Sequence, residues 1–591
     1  MNPERPQNTE TIIMRWGSDA IAEMLRRLDL NFIALNPGVS FSGLHDSLVN
    51  YLGNRDPQIL LTLHEESAVA IAHGYAKVTE KPMGVVVHSN VGLMNATMTI
   101  FNAWCDRVPI IILGGTGPLD AAKRRPWIDW IHTAQDQGAL VRDYTKWDDQ
   151  PASVTAALES LLRAYQLSCT APYGPVYVCL DTDLQKSQLE ENLSIPDPAR
   201  FKPAQPQEAP RDVLRQAAKI LSGARRPLIL AGRVSRSQEH WKLRIKLAEA
   251  LGAKVVTDMK VAAAFPTGHP LHAAGPSMIL SAKAANLIRQ ADAILSLDWL
   301  DLGGTLNQVW KTTNFKAKVI HCSVDAYIHR GWSKDYQGLP PVDLPILAQP
   351  DAILPRLLAA LAESGSRERT MANGDDDAGR TETSTIGSQT GSEDKSGAID
   401  FLDIARALKA ALEDRKICLT RLPLEWPEEA CDFRDPLDYL GIDGGGAVGA
   451  GPGMAVGAAL ALRGSGRLPV AILGDGDYLM GVSALWTAAH YKVPLLIVIA
   501  NNRLYGNCVR HQERTANMRS RPLDNKRVGL RIDNPPVDLV GMARAQGVDG
   551  EGPIDDYDRL VGAFTRAVEA IDRGRCYLVD VLMVSAENHI E

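Results

Sequence analysis

The chain has 591 residues, too many for one hydrophobic core, so roughly two to four domains are expected. Its 45% hydrophobic and 23% charged residues are ordinary for a soluble globular protein, and a net charge of −7 argues against nucleic acid as the main partner. No apolar run reaches the length of a membrane span, and the start, Met1-Asn2-Pro3-Glu4-Arg5-Pro6, lacks the basic-then-apolar layout of a signal peptide. The expectation is a cytoplasmic protein. Its eight scattered cysteines, with no Cys-x-x-Cys and no zinc spacing, read as reduced, space-filling thiols.

Residues 1–190 read as an α/β domain. From Thr11 to Leu28, Ile12, Ile13, Trp16, Ala20, Ile21, Met24, Leu25 and Leu28 recur at helical spacing. Strands are predicted at 31–35, 58–63, 83–88 and 108–113, with helices at 68–78 and 95–104 between them. That alternation argues for a parallel sheet covered on both faces. Residues 205–360 repeat the pattern, with strands at 227–232, 254–257, 293–297 and 318–322. The polar, aperiodic stretch 366–397 reads as a flexible linker. A third α/β domain, 398–591, carries the glycine-rich run 443–454 and closes on a helix at 559–571 and a strand at 577–581.

The third domain holds the organising stretch. Val470-Ala471-Ile472-Leu473 suits a buried parallel strand and ends at Gly474-Asp475-Gly476-Asp477. A turn and a helix follow, and then a second apolar strand ending in Asn501-Asn502-Arg503-Leu504-Tyr505-Gly506. The glycines let a ligand approach the backbone, and Asp475 and Asn502 place hard oxygens at two strand ends. Such oxygens suit Mg²⁺, which takes few protein ligands together with phosphate oxygens. Asp-Gly alone is commonly just a turn.

Gly-Asp-Gly followed after 24 residues by Asn-Asn resembles the thiamine diphosphate (ThDP) motif of the decarboxylase and acetolactate synthase superfamily. Ser483-Ala484-Leu485-Trp486-Thr487-Ala488-Ala489 and the residues after Asn501 particularly resemble benzoylformate decarboxylases. The resemblance implies three doubly wound parallel-sheet domains: pyrimidine-binding, middle and pyrophosphate-binding. It implies that Asp475, Asn502 and the Leu504 carbonyl hold Mg²⁺. Gly474, Gly476, Asp477, Tyr505 and Gly506 would line the cofactor. It places Ala450, Pro452 and Met454 beside the cofactor rings, with Pro452 or Met454 as the apolar prop. The superfamily also forms homodimers or homotetramers, with active sites at the subunit interface.

In the first domain, Leu63-His64-Glu65-Glu66-Ser67-Ala68 to Ala76 resembles the block whose glutamate touches the aminopyrimidine ring; that glutamate matches Glu65. Glu65 is otherwise an acid in a helix's first turn, with Glu66 solvated or pairing locally. A buried carboxyl has a raised pKa and can exchange a proton near neutrality. His88 reads as a structural hydrogen-bonder, but its spacing from Glu65 matches a proton-transferring histidine of benzoylformate decarboxylases. Two departures argue against benzoylformate as the substrate. Val39, not serine, follows Asn36-Pro37-Gly38, with Ser40 one step on, and no histidine follows the 293–297 strand. Gly232-Arg233 lacks a dinucleotide fingerprint, which argues against FAD in the middle domain. Arg503 to Arg531 is arginine-rich, reading either as a carboxylate- or phosphate-binding region or as solvated surface.

The implied function is ThDP- and Mg²⁺-dependent cleavage or formation of a carbon–carbon bond next to a carbonyl. Decarboxylation of a small-molecule 2-oxo acid leads, with carboligation as in acetolactate synthase. The alternatives are a 2-hydroxyacyl-CoA lyase or oxalyl-CoA decarboxylase with an acyl-CoA substrate, a non-catalytic ThDP-binding regulatory relative, and a flavin or nicotinamide oxidoreductase.

Overall fold

The structure, a computed structural model, describes residues 4–6, 13–189, 193–312, 314–327, 339–364 and 399–583. The predicted linker, 366–397, lies outside them. Three parallel sheets carry the fold. The first runs in the spatial order Gln58–Leu61, Phe32–Leu35, Met83–Val87, Ile110–Thr116, Pro175–Asp181, Asp148–Asp149. The second runs Leu344–Ile346, Lys318–Cys322, Ala293–Leu297, Pro227–Ala231, Lys254–Thr257, His272–Ala274. The third runs Ile417–Arg421, Leu468–Gly474, Leu495–Asn501, Cys576–Leu582, Asp549–Ile554. The three-domain α/β class expected from the sequence is the one found. Central strands such as Met83–Val87 and Leu495–Asn501 are buried along their whole length, which is why they read as continuous apolar runs.

Two local readings differ from the structure. The first helix is Gly17–Arg27, because Trp16 is extended and bridges to Gln188. The Gly-Asp-Gly stretch is not a turn before a helix. Strand Leu468–Gly474 runs straight into helix Asp475–Gly481, with Asp475 and Asp477 in its first turn, where the helix dipole favours acids.

The first and third domains share one core. Helix Glu65–Thr79 lies against helix Gly451–Ala461, and both are rich in small residues. A Cβ on Gly74 would strike the Met454 carbonyl, and one on Gly457 the Ile71 carbonyl, so these glycines set the close approach of the two backbones. Leu61 is held from both sides: its N–H donates to Tyr491 Oη at 2.9 Å, and its carbonyl accepts from Thr487 Oγ1 at 2.8 Å. The middle domain is tied in through Tyr439, whose hydroxyl donates to the Met259 carbonyl at 2.8 Å, and through the Arg107–Asp325 pair at 3.1 Å.

Candidate active site

Strand Met83–Val87 delivers His88 to the carboxyl edge of the first sheet, where it caps helix Ser89–Cys105. Ser40 Oγ lies 2.8 Å from His88 Nδ1 and accepts from the Ser89 N–H at 3.1 Å. Nδ1 is thereby occupied, and Nε2 is the ring nitrogen left for chemistry. Ser89 has φ of 37°, a strained value that the bond to Ser40 helps to hold. Val39, directly after the Asn-Pro-Gly turn, is exposed, while Ser40 is buried and reaches the histidine. The His132 ring meets His88 edge to face, with centroids 4.9 Å apart. Burial lowers the His88 pKa and His132 lowers it further; Glu65 opposes them and Arg125 adds to them.

Glu65 is the first residue of its helix, after the N-cap His64, whose Nδ1 accepts from the Glu66 N–H at 3.2 Å. The Glu65 side chain is buried. Its Oε2 accepts from Asn95 Nδ2 at 3.2 Å, and its Oε1 lies 2.9 Å from where a Cβ on Gly92 would sit. Glu65, His88, Asn95 and Gly92 therefore form one cluster at the amino ends of two helices.

The second cluster stands on adjacent strands of the third sheet, where Gly474 pairs with Ala500. That register sets Asp475 beside the turn that follows Asn501. Asp475 is buried; its Oδ1 accepts from the Gly476 N–H at 2.7 Å. Burial raises its pKa, against the N–H groups of Gly476, Arg503 and Leu504 turned toward it. Its Oδ2 is buried with no hydrogen-bond partner among the described residues, a costly state unless a cation or donor meets it. Asn502 Oδ1 accepts from the Leu504 N–H at 3.1 Å, and the Leu504 carbonyl from the Gly506 N–H at 3.0 Å; each oxygen keeps a second lone pair. Nothing lies within 4 Å of a Cβ built on Gly474, so that face is open. Gly476 is needed for a different reason: a Cβ there would lie 2.8 Å from the Tyr505 ring. Asn501 is used structurally, donating to Asp580 at 3.0 Å, and burial pushes the Asp580 pKa up to about 6.

Between the clusters runs the glycine-rich loop, turned at Gly444, Gly446 and Gly449 by φ values of 70°, 71° and 108°. The Asp477 carboxylate ties this loop down: its Oδ1 accepts from the N–H groups of Gly449 (2.6 Å) and Gly451 (3.2 Å). Arg421 is buried behind it, 3.0 Å from Asp443 and 3.5 Å from Asp477. Burial works to lower the Arg421 pKa, but the two carboxylates outweigh it and hold the guanidinium above its ordinary value. Glu66 is half-buried, and its Oε1 lies 3.3 Å from where a Cβ on Gly449 would sit. Burial raises its pKa, His64 opposes, and Asp477 adds to the rise. Arg421→Met would leave Asp443 and Asp477 buried without their cation. A loss of about 3–5 kcal/mol is expected, read as a lower denaturant midpoint, with Arg421→Lys recovering part of it.

Pro452 sits in the first turn of helix Gly451–Ala461, where a missing N–H costs nothing, and its ring packs toward Gly481. Met454 is enclosed with Ala70 and Ala450. The apolar side chains left exposed here are Val448 (49%) and Met480 (52%). Neither Val448 nor His132, Arg421 or Asp443 was singled out by the motifs. Their one local signal is placement: Val448 lies between two left-handed glycines, and His132 directly follows the short helix Ile128–Ile131.

Among the described residues, no hydrogen bond or ion pair joins Glu65 to Asp475, Asn502 or Leu504. The middle domain has its own cleft of about 430 Å³, lined by Thr257, Asp258, Lys260, Trp299 and Asp301 among others.

Three parallel α/β domains, with a buried carboxylate beside an asparagine turn and a glycine loop, are the architecture of a ThDP enzyme, and the comparisons agree. Residues 15–141 match the N-terminal TPP binding domain of thiamine pyrophosphate enzymes, 214–357 the central domain and 424–581 the C-terminal TPP binding domain. The chain belongs to the thiamine pyrophosphate enzyme family. It is 25% identical to a probable acetolactate synthase large subunit of Methanocaldococcus jannaschii, over 97% of this chain and 92% of that one. It is also 25% identical to a benzoylformate decarboxylase of Pseudomonas aeruginosa, over 94% of this chain and 97% of that one. The crystal structure of benzoylformate decarboxylase from Polynucleobacter necessarius shares the fold, with a TM-score of 0.77, 21% identity and coverage of 96% and 99%. Among the described residues, no helix is long and apolar enough to cross a membrane.

Proposed function

We propose that this protein uses ThDP and Mg²⁺ to cleave or form a carbon–carbon bond next to a carbonyl, with decarboxylation of a 2-oxo acid as its principal reaction and carboligation as a second outcome. The observation that carries this reading is the unpartnered Oδ2 of buried Asp475, facing a turn that offers the oxygens of Asn502 and Leu504. One carboxylate with two neutral oxygens fits an ion that brings phosphate oxygens of its own. Relatives named acetolactate synthase and benzoylformate decarboxylase supply the reaction class.

When bound, the coenzyme supplies a nucleophilic carbon and an electron sink for the bond to be broken. The residues of the chain do the rest. Asp475, Asn502 and the Leu504 carbonyl hold the ion. Glu65 would hold a proton at its carboxyl beside the pyrimidine ring. His88 moves a proton at Nε2, with Nδ1 pinned by Ser40. Val448, exposed where Pro452 and Met454 are buried, would be the apolar side chain that props the rings.

Glu65 and Asp475 belong to separate clusters of one chain, which supports a homodimer or homotetramer whose sites each draw on two subunits. The exposed apolar side chains beside the Glu65 cluster, Leu63, Val91, Met94 and Met98, support the same reading. All eight cysteines are free, which supports a reducing, cytoplasmic setting.

The test is a calorimetric titration with ThDP and Mg²⁺, joined to a screen of aliphatic and aromatic 2-oxo acids, alone and with an acceptor aldehyde. A parallel arm offers 2-hydroxyacyl-CoAs. Binding and carbon dioxide release are expected from at least one 2-oxo acid. A protein that ignores the coenzyme at millimolar concentration is not this enzyme; turnover of the thioesters alone moves it to the acyl-CoA lyase class.

A further inference from the structure

His132 is placed beside His88 by contacts from two directions. The Gly117 N–H, just past strand Ile110–Thr116, donates to the His132 carbonyl at 3.3 Å. Asn90, in the helix that His88 caps, donates from Nδ2 to the Ile131 carbonyl at 3.1 Å. Within the segment, buried Asp129 accepts from the Arg125 N–H (2.7 Å) and from its guanidinium (2.8 Å), while Thr133 Oγ1 donates to the Asp129 carbonyl at 2.5 Å. The loop is thus a fixed wall. The His132 ring is half-buried, stands edge to face on His88, and takes no ring hydrogen bond from any described residue.

The geometry points to His132 as a positioning residue that acts through His88: its ring, set edge to face on the His88 ring, shifts the pH range in which His88 exchanges a proton with substrate. Two charged imidazoles about 5 Å apart and partly shielded from water repel, whereas a neutral face accepts a charged edge. The charged and titratable groups facing His88 are Glu65 from helix Glu65–Thr79, and His132 and Arg125 from the 117–134 segment. Ser40 faces it without charge. Burial is the largest influence on His88; after it His132 lowers the pKa, Glu65 opposes and Arg125 adds to the lowering. The role in catalysis rests on the assignment of His88 made above.

The test uses full-length protein with histidine labelled at Cε1 by ¹³C, titrated by NMR, with the His88 resonance identified by its absence in His88→Ala. His132→Phe keeps an aromatic ring in place and removes the titratable nitrogens; His132→Gln serves if the phenyl ring disturbs folding. Loss of His132 is expected to raise the His88 midpoint by about 0.5–1 pH unit, a gain of roughly threefold to tenfold in proton affinity. The acid limb of the kcat/KM profile should move up by the same amount. An unchanged midpoint overturns the pairing. A midpoint that moves while the acid limb stays put overturns the action through His88. The NMR arm needs no substrate, so a protein that turns over no 2-oxo acid fails the functional reading alone, and the pairing is still decided.

Discussion

Glu65→Gln is expected to lower turnover by roughly 10²- to 10⁴-fold while coenzyme and Mg²⁺ binding stays within a few-fold of wild type. The amide has the shape of the carboxylate and can still accept from Asn95 Nδ2, the bond that orients the side chain at 3.2 Å. It also fits over Gly92, where even a single added carbon would crowd Oε1. What it cannot do is take up and return a proton. The substitution therefore isolates proton exchange from packing, and the separation should show as a fall in kcat with little change in the binding isotherm. Carbon dioxide release and calorimetry on the same preparation read the two quantities. Wild-type turnover in the variant would remove Glu65 from the mechanism.

Asp475→Asn should weaken Mg²⁺-dependent ThDP binding by at least about 10²-fold, because the site then loses its only charged oxygen and an amide is a poor ligand for a hard cation. The same change should leave the unliganded protein no less stable than wild type. Burial raises the Asp475 pKa, so at neutral pH the folded chain carries a charge that costs it free energy. The amide removes that cost and keeps the bond from the Gly476 N–H. Thermal melts without and with ThDP and Mg²⁺ separate the two effects. The wild type should gain stability from the ligands and the variant should not. A variant that binds as wild type does would place the ion elsewhere.

Both predictions depend on residues picked out by the family motif, since local pattern alone reads Asp475 as part of a turn and Glu65 as a helix-start acid. Gly474-Asp475-Gly476 and Asn501-Asn502 stand at the ends of apolar runs, and strand ends are where such a sheet binds ligands. Glu65 stands at a helix start for the same local reason. The roles of the neighbours were less legible. Asp477 looks like part of a cofactor motif, yet its carboxylate is spent on Gly449, Gly451 and Arg421. Glu66 looks like a solvated helix-start acid, yet it reaches the Gly449 loop of another domain.

Local pattern was enough to set the class of fold, the three domains and the residues at the strand and helix ends, because hydrophobic period and turn chemistry are properties of neighbouring residues. The partners of those residues were decided only by the folded chain. His132 against His88, Arg421 between Asp443 and Asp477, and Met454 turned inward while Val448 stays out all depend on which surfaces meet. That meeting is set by backbone approaches such as Gly74 on Met454, between residues hundreds of positions apart, and no periodicity along the chain encodes it.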